Sequence, residues 1–110
     1  MLKTVAVDFD HTLVDGDKPL PGAREAMEKL KAKGYMILIH SCNNLEWIKK
    51  VLRASDIPFD YVWDNNADMG KPICAAYVDD RAINFDGDWE RSLADLETLE
   101  ERRNKIKGLI

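Results

Sequence analysis

Asp8-Phe9-Asp10-His11-Thr12 sets two carboxylates two residues apart, at the end of the Val-rich run LKTVAVDF from Leu2 to Phe9. Side chains alternate between the faces of a strand, so residues two apart can share one. Two carboxylates about 4 Å apart repel by on the order of 4 kcal/mol at an effective dielectric near 20. Asp79 and Asp80 end a second short run, Ala75 to Val78, and bring two more acids to the problem. A divalent cation relieves such crowding, and hard oxygen ligands favour magnesium over zinc. Lys71 can add one further positive charge. Alone, an Asp-x-Asp after a strand is also what a solvated loop start looks like.

The elements that must position these groups follow from periodicity. Leu2–Phe9 and the run 35–40 (YMILIH) are short and apolar, the pattern of buried strands. Val14 to Gly22 holds two Gly, two Pro and two Asp and is predicted as loop. Ala23, Ala26, Met27 and Leu30 recur at helical spacing, with Gly34 as the stop. Leu45, Ile48, Val51 and Leu52 form the stripe of a second helix, capped by Asn43 or Asn44, with Glu46 completing a capping box from Asn43. Asp56-Ile57-Pro58 ends it, 61–63 is a third strand, and 64–72 is polar loop. Ala75 to Val78 is the fourth strand. Trp89, Leu93, Leu96, Leu99 and Ile106 then suggest a long amphipathic helix with Asp88 as N-cap and Glu101 and Lys105 in the favourable i,i+4 order.

Strands alternating with helices predict a parallel α/β sheet, and such sheets bind ligands beyond the carboxyl ends of their strands. Three strand ends carry polar groups here: Asp8/Asp10, Ser41 and Asp79/Asp80. The length of 110 residues fits one domain, 1–110. A net charge of −4 offers no broad basic surface for nucleic acid, although 16 Lys and Arg leave room for a local patch. The apolar stretches are too short for a membrane span, and the start lacks the apolar core of a secretory signal. Cys42 and Cys74 form neither a disulfide framework nor a zinc set, so two reduced cysteines in a cytoplasmic protein are expected.

VAVDFDHTLVD resembles the first motif of the haloacid dehalogenase-like (HAD) phosphohydrolases, a hydrophobic strand followed by Asp-x-Asp-x-Thr. Ser41 at the end of YMILIHS is similar to that family's second motif, Lys71 in GKP to its third and YVDD to its fourth, all in the family's order. The resemblance implies a three-layer Rossmann-like fold with a small parallel sheet. It implies Asp8 as a nucleophile that takes the phosphoryl group and Asp10 as the acid and then base. A magnesium ion would be held at Asp8, Asp10 (through its backbone carbonyl), Asp79 and Asp80, one of the last two directly and the other through water. Ser41, Cys42 and nearby N–H groups would bind phosphate, and Lys71 would offset charge on Asp8 and the phosphoryl group.

Several features depart from that pattern. Seven residues between Lys71 and Asp79 are too few for the helix many relatives place there, so the sheet is expected to be trimmed on that side. His11 stands where relatives often carry Gly. No segment is long enough for a cap domain, so the resemblance implies an open site. Such a site suits a small-molecule or macromolecular phosphomonoester, a nucleic-acid end being unsupported by the net charge, or borrows its cover from a second subunit of a homo-oligomer. Arg81 either pairs with the neighbouring acids or meets a second substrate group. Thr12 either braces its turn or serves the chemistry, and Trp47, Trp63 and Trp89 are expected to pack, with contact to substrate the alternative for Trp63 beside its polar loop.

Other functions remain for the same residues. A receiver domain would need its paired acids early and its Lys late, the reverse of the order here. A non-catalytic binding or regulatory module on the same fold, and a phosphotransferase with an acceptor other than water, would each retain these side chains.

Overall fold

The computed structural model describes residues 3–109; Leu2, where the first strand was expected to begin, lies outside them. Four parallel strands form the sheet: β1 (Thr4–Val7), β4 (Met36–Ile39), β5 (Tyr61–Val62) and β6 (Ala76–Val78), in the order β5-β4-β1-β6. Between β1 and β4 come β2 (Val14–Asp15), β3 (Lys18–Pro19) and helix α1 (Ala23–Ala32). Helix α2 (Leu45–Ala54) joins β4 to β5, and α3 (Trp89–Lys107) follows β6. The fold is thus the α/β class expected, a small parallel sheet flanked by helices.

Register explains the core. Val5, Val7, Ile37, Ile39 and Val62 are paired partners or lie two apart, so they share one face. All five are buried with Met27 of α1 and with Ile48, Val51 and Leu52 of α2. Each such side chain contributes about 1.5–3 kcal/mol of burial, which makes this face the main source of cohesion.

The opposite face carries Ala6, Leu38, Tyr61 and Tyr77. No helix links β5 to β6; the segment 63–75 crosses this face instead. Its Asp68 accepts a hydrogen bond from the Tyr61 hydroxyl at 2.7 Å, and its Pro72 carbonyl accepts one from the Tyr77 hydroxyl. The third layer on this side is therefore a strap of chain, in line with the trimming expected from the short Lys71–Asp79 interval.

Three local expectations are corrected. Val14 to Gly22 is not all loop: Val14 pairs with Pro19 and Asp15 with Lys18 in an antiparallel hairpin, turned at Gly16, whose φ of 65° suits glycine. The N-cap of α2 is Asn44, whose Oδ1 accepts from Trp47 N at 3.0 Å, so the Asn43–Glu46 capping box does not form. On α3, Trp89, Leu93 and Leu96 are exposed, and the inward line is Ser92, Leu99, Arg103 and Ile106. The reason is geometric. At 3.6 residues per turn, the stripe from Trp89 to Ile106 winds about 100° around the helix and cannot face one surface. Trp47 is likewise 39% exposed, so of the three tryptophans only Trp63 is half-buried, edge-on to His40 at 6.2 Å.

Candidate active site

β1 delivers Asp8 and Asp10 to the carboxyl edge of the sheet. Asp8 N donates to the Val78 carbonyl at 2.8 Å, which extends the β1–β6 ladder one residue and sets Asp8 beside the end of β6. The chain then turns sharply. His11 takes a left-handed φ of 59°, and the Phe9 carbonyl accepts from Leu13 N at 3.0 Å. A histidine thus occupies a left-handed position of the kind that favours glycine.

The turn, together with the ends of β4 and β6, opens a cavity of about 740 Å³ lined by Asp8, Asp10, His11, His40, Ser41, Cys42, Asn65, Asp79, Asp80 and Arg81. Asp8, Asp79 and Asp80 each offer a carboxylate oxygen within 4.8 Å of the other two. Burial pushes the Asp8 carboxyl up to about 7, with the adjoining Asp80 carboxylate and the charge of Asp79 adding to it against the Phe9 N–H. Burial also works to raise Asp80, but the Arg103 guanidinium and a hydrogen bond from the Asp8 carboxyl overcome it and hold that carboxyl below its usual range. Asp80 therefore stays ionised, and Asp8 is the group that carries the strain of crowding.

Arg103 reaches in from α3 and its Nε donates to Asp80 Oδ2 at 2.9 Å. The side chains are 14% and 2% exposed, so this pair is nearly sealed from water. The other oxygen, Asp80 Oδ1, is buried and accepts from no N–H or hydroxyl among the described residues; the Asp8 carboxyl adjoins Asp80 and can donate to it only while protonated. A buried, ionised oxygen without a partner is costly. A cluster of three carboxylates, one of them with such a buried oxygen, fits a hard divalent cation, and Asp8, Asp79 and Asp80 are the side chains that would hold it.

The remaining expected residues divide. Asp10 lines the cavity, but its side chain is not in the metal-type cluster; its Oδ2 accepts from Asn43 Nδ2 at 2.9 Å. Ser41 is buried at the cavity wall, with its Oγ accepting from Asn43 N at 3.1 Å, and Cys42 is exposed at the same wall. Asn65 Nδ2 donates to the Ser41 carbonyl at 2.7 Å and steadies that loop. Arg81 lines the cavity through an exposed side chain, while its backbone N–H donates to Asp79 Oδ1 at 2.8 Å.

Lys71 is not brought together with Asp8. Its ammonium sits over the Tyr77 ring, 4.5 Å from the centroid, and lines a neighbouring cavity that shares only His40 and Asp79 with the first. The short return from Lys71 to β6 keeps it on the strap, where no helix lifts it to the strand ends. Thr12 Oγ1 is buried and without a partner, away from the cavity lining.

Sequence reasoning missed Asn43 and Arg103. Asn43 stands two residues after Ser41 and reads equally well as a helix cap. Arg103 lies 23 residues beyond Asp80, on a helix, and only its place in line with Leu99 and Ile106 hints that it points inward.

This arrangement, with an acid pair after the first strand, a second after the last and a serine between them, defines a class of hydrolase that the comparisons bear out. The family model of the haloacid dehalogenase-like hydrolases matches residues 5–70, more than half of the chain, and the protein belongs to that family. Among solved structures it is similar to a conserved protein from Bacteroides thetaiotaomicron, with a TM-score of 0.61 and 22% identity over 93% of each chain, a likeness of fold. No curated protein matches the sequence. The family match ends one residue before Lys71, so the placement of Asp79, Asp80 and Arg103 rests on the geometry above.

Proposed function

We propose that the protein is a magnesium-dependent phosphatase that hydrolyses a phosphomonoester through an aspartyl phosphate on Asp8. The observation that carries the reading is the meeting of the Asp8, Asp79 and Asp80 carboxylates within 4.8 Å, with Asp80 Oδ1 buried and taking no N–H or hydroxyl donor among the described residues. A magnesium ion there supplies positive charge that lets an anionic nucleophile approach an anionic phosphoryl group. With the cluster neutralised, Asp8 is ionised at neutral pH and free to attack.

In the first step an Asp8 oxygen forms a bond to phosphorus as the bond to the leaving oxygen breaks, and Asp10 gives that oxygen its proton. Asn43, hydrogen-bonded to Asp10 Oδ2, leaves Oδ1 as the oxygen that carries the proton. In the second step Asp10 takes a proton from water, the water oxygen attacks phosphorus, and inorganic phosphate leaves with Asp8 restored. Ser41 and the N–H groups of the loop that opens α2 hold the phosphoryl oxygens, with Cys42 beside them. The cation that family resemblance assigns to Lys71 would come from a swing of its flexible side chain off Tyr77 or from Arg81 at the cavity wall.

The substrate class is an accessible phosphomonoester, because no capping segment closes the cavity among the described residues. Incubation with an aryl phosphate and magnesium is expected to give turnover that Asp8→Asn abolishes. Wild-type turnover in that variant would remove Asp8 from the chemistry, and no turnover in either protein over a panel of phosphomonoesters would turn the reading towards a binding module.

A further inference from the structure

Arg103 holds Asp80 in a particular way. The donor is Nε, in the middle of the side chain, and it engages Oδ2 at 2.9 Å in a pair that water barely reaches. A carboxylate so tied cannot rotate to offer both oxygens to one side. Oδ1 is the oxygen left, buried and without an N–H or hydroxyl donor among the described residues, on a carboxylate that clusters with those of Asp8 and Asp79.

The distinction matters because cations differ in what they take from a carboxylate. Magnesium is small, takes six ligands in a near-ideal octahedron and suits one oxygen from each carboxylate. Calcium is larger, takes six to eight and gains from bidentate carboxylates. We propose that Arg103 is a positioning residue that confines Asp80 to one-oxygen ligation and so sets the site's preference for magnesium over calcium. This rests on the metal site of the phosphatase reading above. It goes beyond that reading because it makes a residue of the last helix responsible for which ion the site accepts.

Charge alone does not account for such a preference. Removing a nearby guanidinium raises attraction for both divalent ions alike, so its effect cancels in the ratio of their affinities. Orientation does not cancel. Arg103→Lys separates the two, because it keeps the charge while placing a methylene where Nε stands. Arg103→Met removes charge and donor together.

The test is the ratio of magnesium to calcium dissociation constants, measured by titration calorimetry on the full chain, with far-UV circular dichroism confirming the fold. The wild type is expected to bind magnesium more tightly than calcium. Both variants are expected to shift the ratio towards calcium by about tenfold, the low end of what second-layer partners of metal ligands contribute. If Arg103→Met does not fold, Arg103→Lys decides alone. A wild-type ratio in each folded variant would overturn the role of Arg103 while leaving the metal site standing. Failure of the wild type to bind either ion would overturn the phosphatase reading and this inference with it.

Discussion

Asp8 carries a large electrostatic cost, and its origin is positional. Strand β1 ends where it must to reach the cavity, and the fold of β6 brings two further acids to the same spot. In the unfolded chain the Asp8 carboxyl titrates near 3.8, whereas in the folded protein burial and Asp80 raise it to about 7. A raised value means that the folded state favours the proton. Its contribution to stability is full below the unfolded value and is lost as pH rises through about 7. Metal-free protein, kept in chelator, is therefore expected to lose stability between about pH 4 and pH 7. Asp8→Asn cannot ionise and escapes this loss. At about pH 8 the metal-free variant should exceed the wild type by at least about 1 kcal/mol, roughly the worth of one pKa unit. Urea denaturation at both pH values checks this; a variant less stable than the wild type at the higher pH would mean that Asp8 is not crowded.

At the scale of elements, the strands announce themselves and the partners of the site do not. TVAV and MILI are short apolar runs that end in polar groups, and both form strands buried on the helix-covered face. Their carboxyl ends converge because parallel strands in register share one edge, so Asp8, Asp10, Ser41, Asp79 and Asp80 were legible before any coordinates. Arg103 and Asn43 were not, because their roles depend on how a helix is rotated and how a loop closes. Apolar spacing on α3 was misleading for the same reason: its stripe winds, and a buried ion pair with Ile106 fixes which side faces inward. Lys71 is a different case, a residue in the right order along the chain whose ammonium lies on the strap over Tyr77. Asp60, just before β5, is another tertiary tie that sequence did not disclose. It accepts from Ile37 N at 2.7 Å and from Lys31 Nζ at 2.7 Å, linking β4, α1 and the start of β5. Burial works to raise its carboxyl, but Lys31 and the Ile37 N–H hold it below the usual range. Asp60→Ala is expected to lower stability by about 1 kcal/mol, mostly from the stranded Ile37 N–H, since the ion pair is solvent-screened. A chemical denaturation midpoint unchanged by the substitution would show the tie to be idle.

For the whole molecule, the balance is uneven. One face of the sheet is built like a larger α/β protein, with two helices over a continuous apolar core. The other has a strap of chain, and the last helix is joined to the body through Arg103 and Ile106 while Trp89, Leu93 and Leu96 face outward. No helix among the described residues is long and apolar enough to cross a membrane. Such a small body suffices for the proposed phosphoryl transfer, because the groups assigned to it come from strand ends and need no cap to be assembled. The most direct test of that claim is chemical trapping at Asp8. Protein mixed with an aryl phosphate and magnesium is quenched and reduced with borohydride, which converts an aspartyl phosphate to homoserine, and the peptide holding residue 8 is read by mass spectrometry. The account predicts homoserine at position 8 in the wild type and unmodified peptide without substrate. Substrate turnover with Asp8 left intact under the same quench, or homoserine at another aspartate, would contradict it.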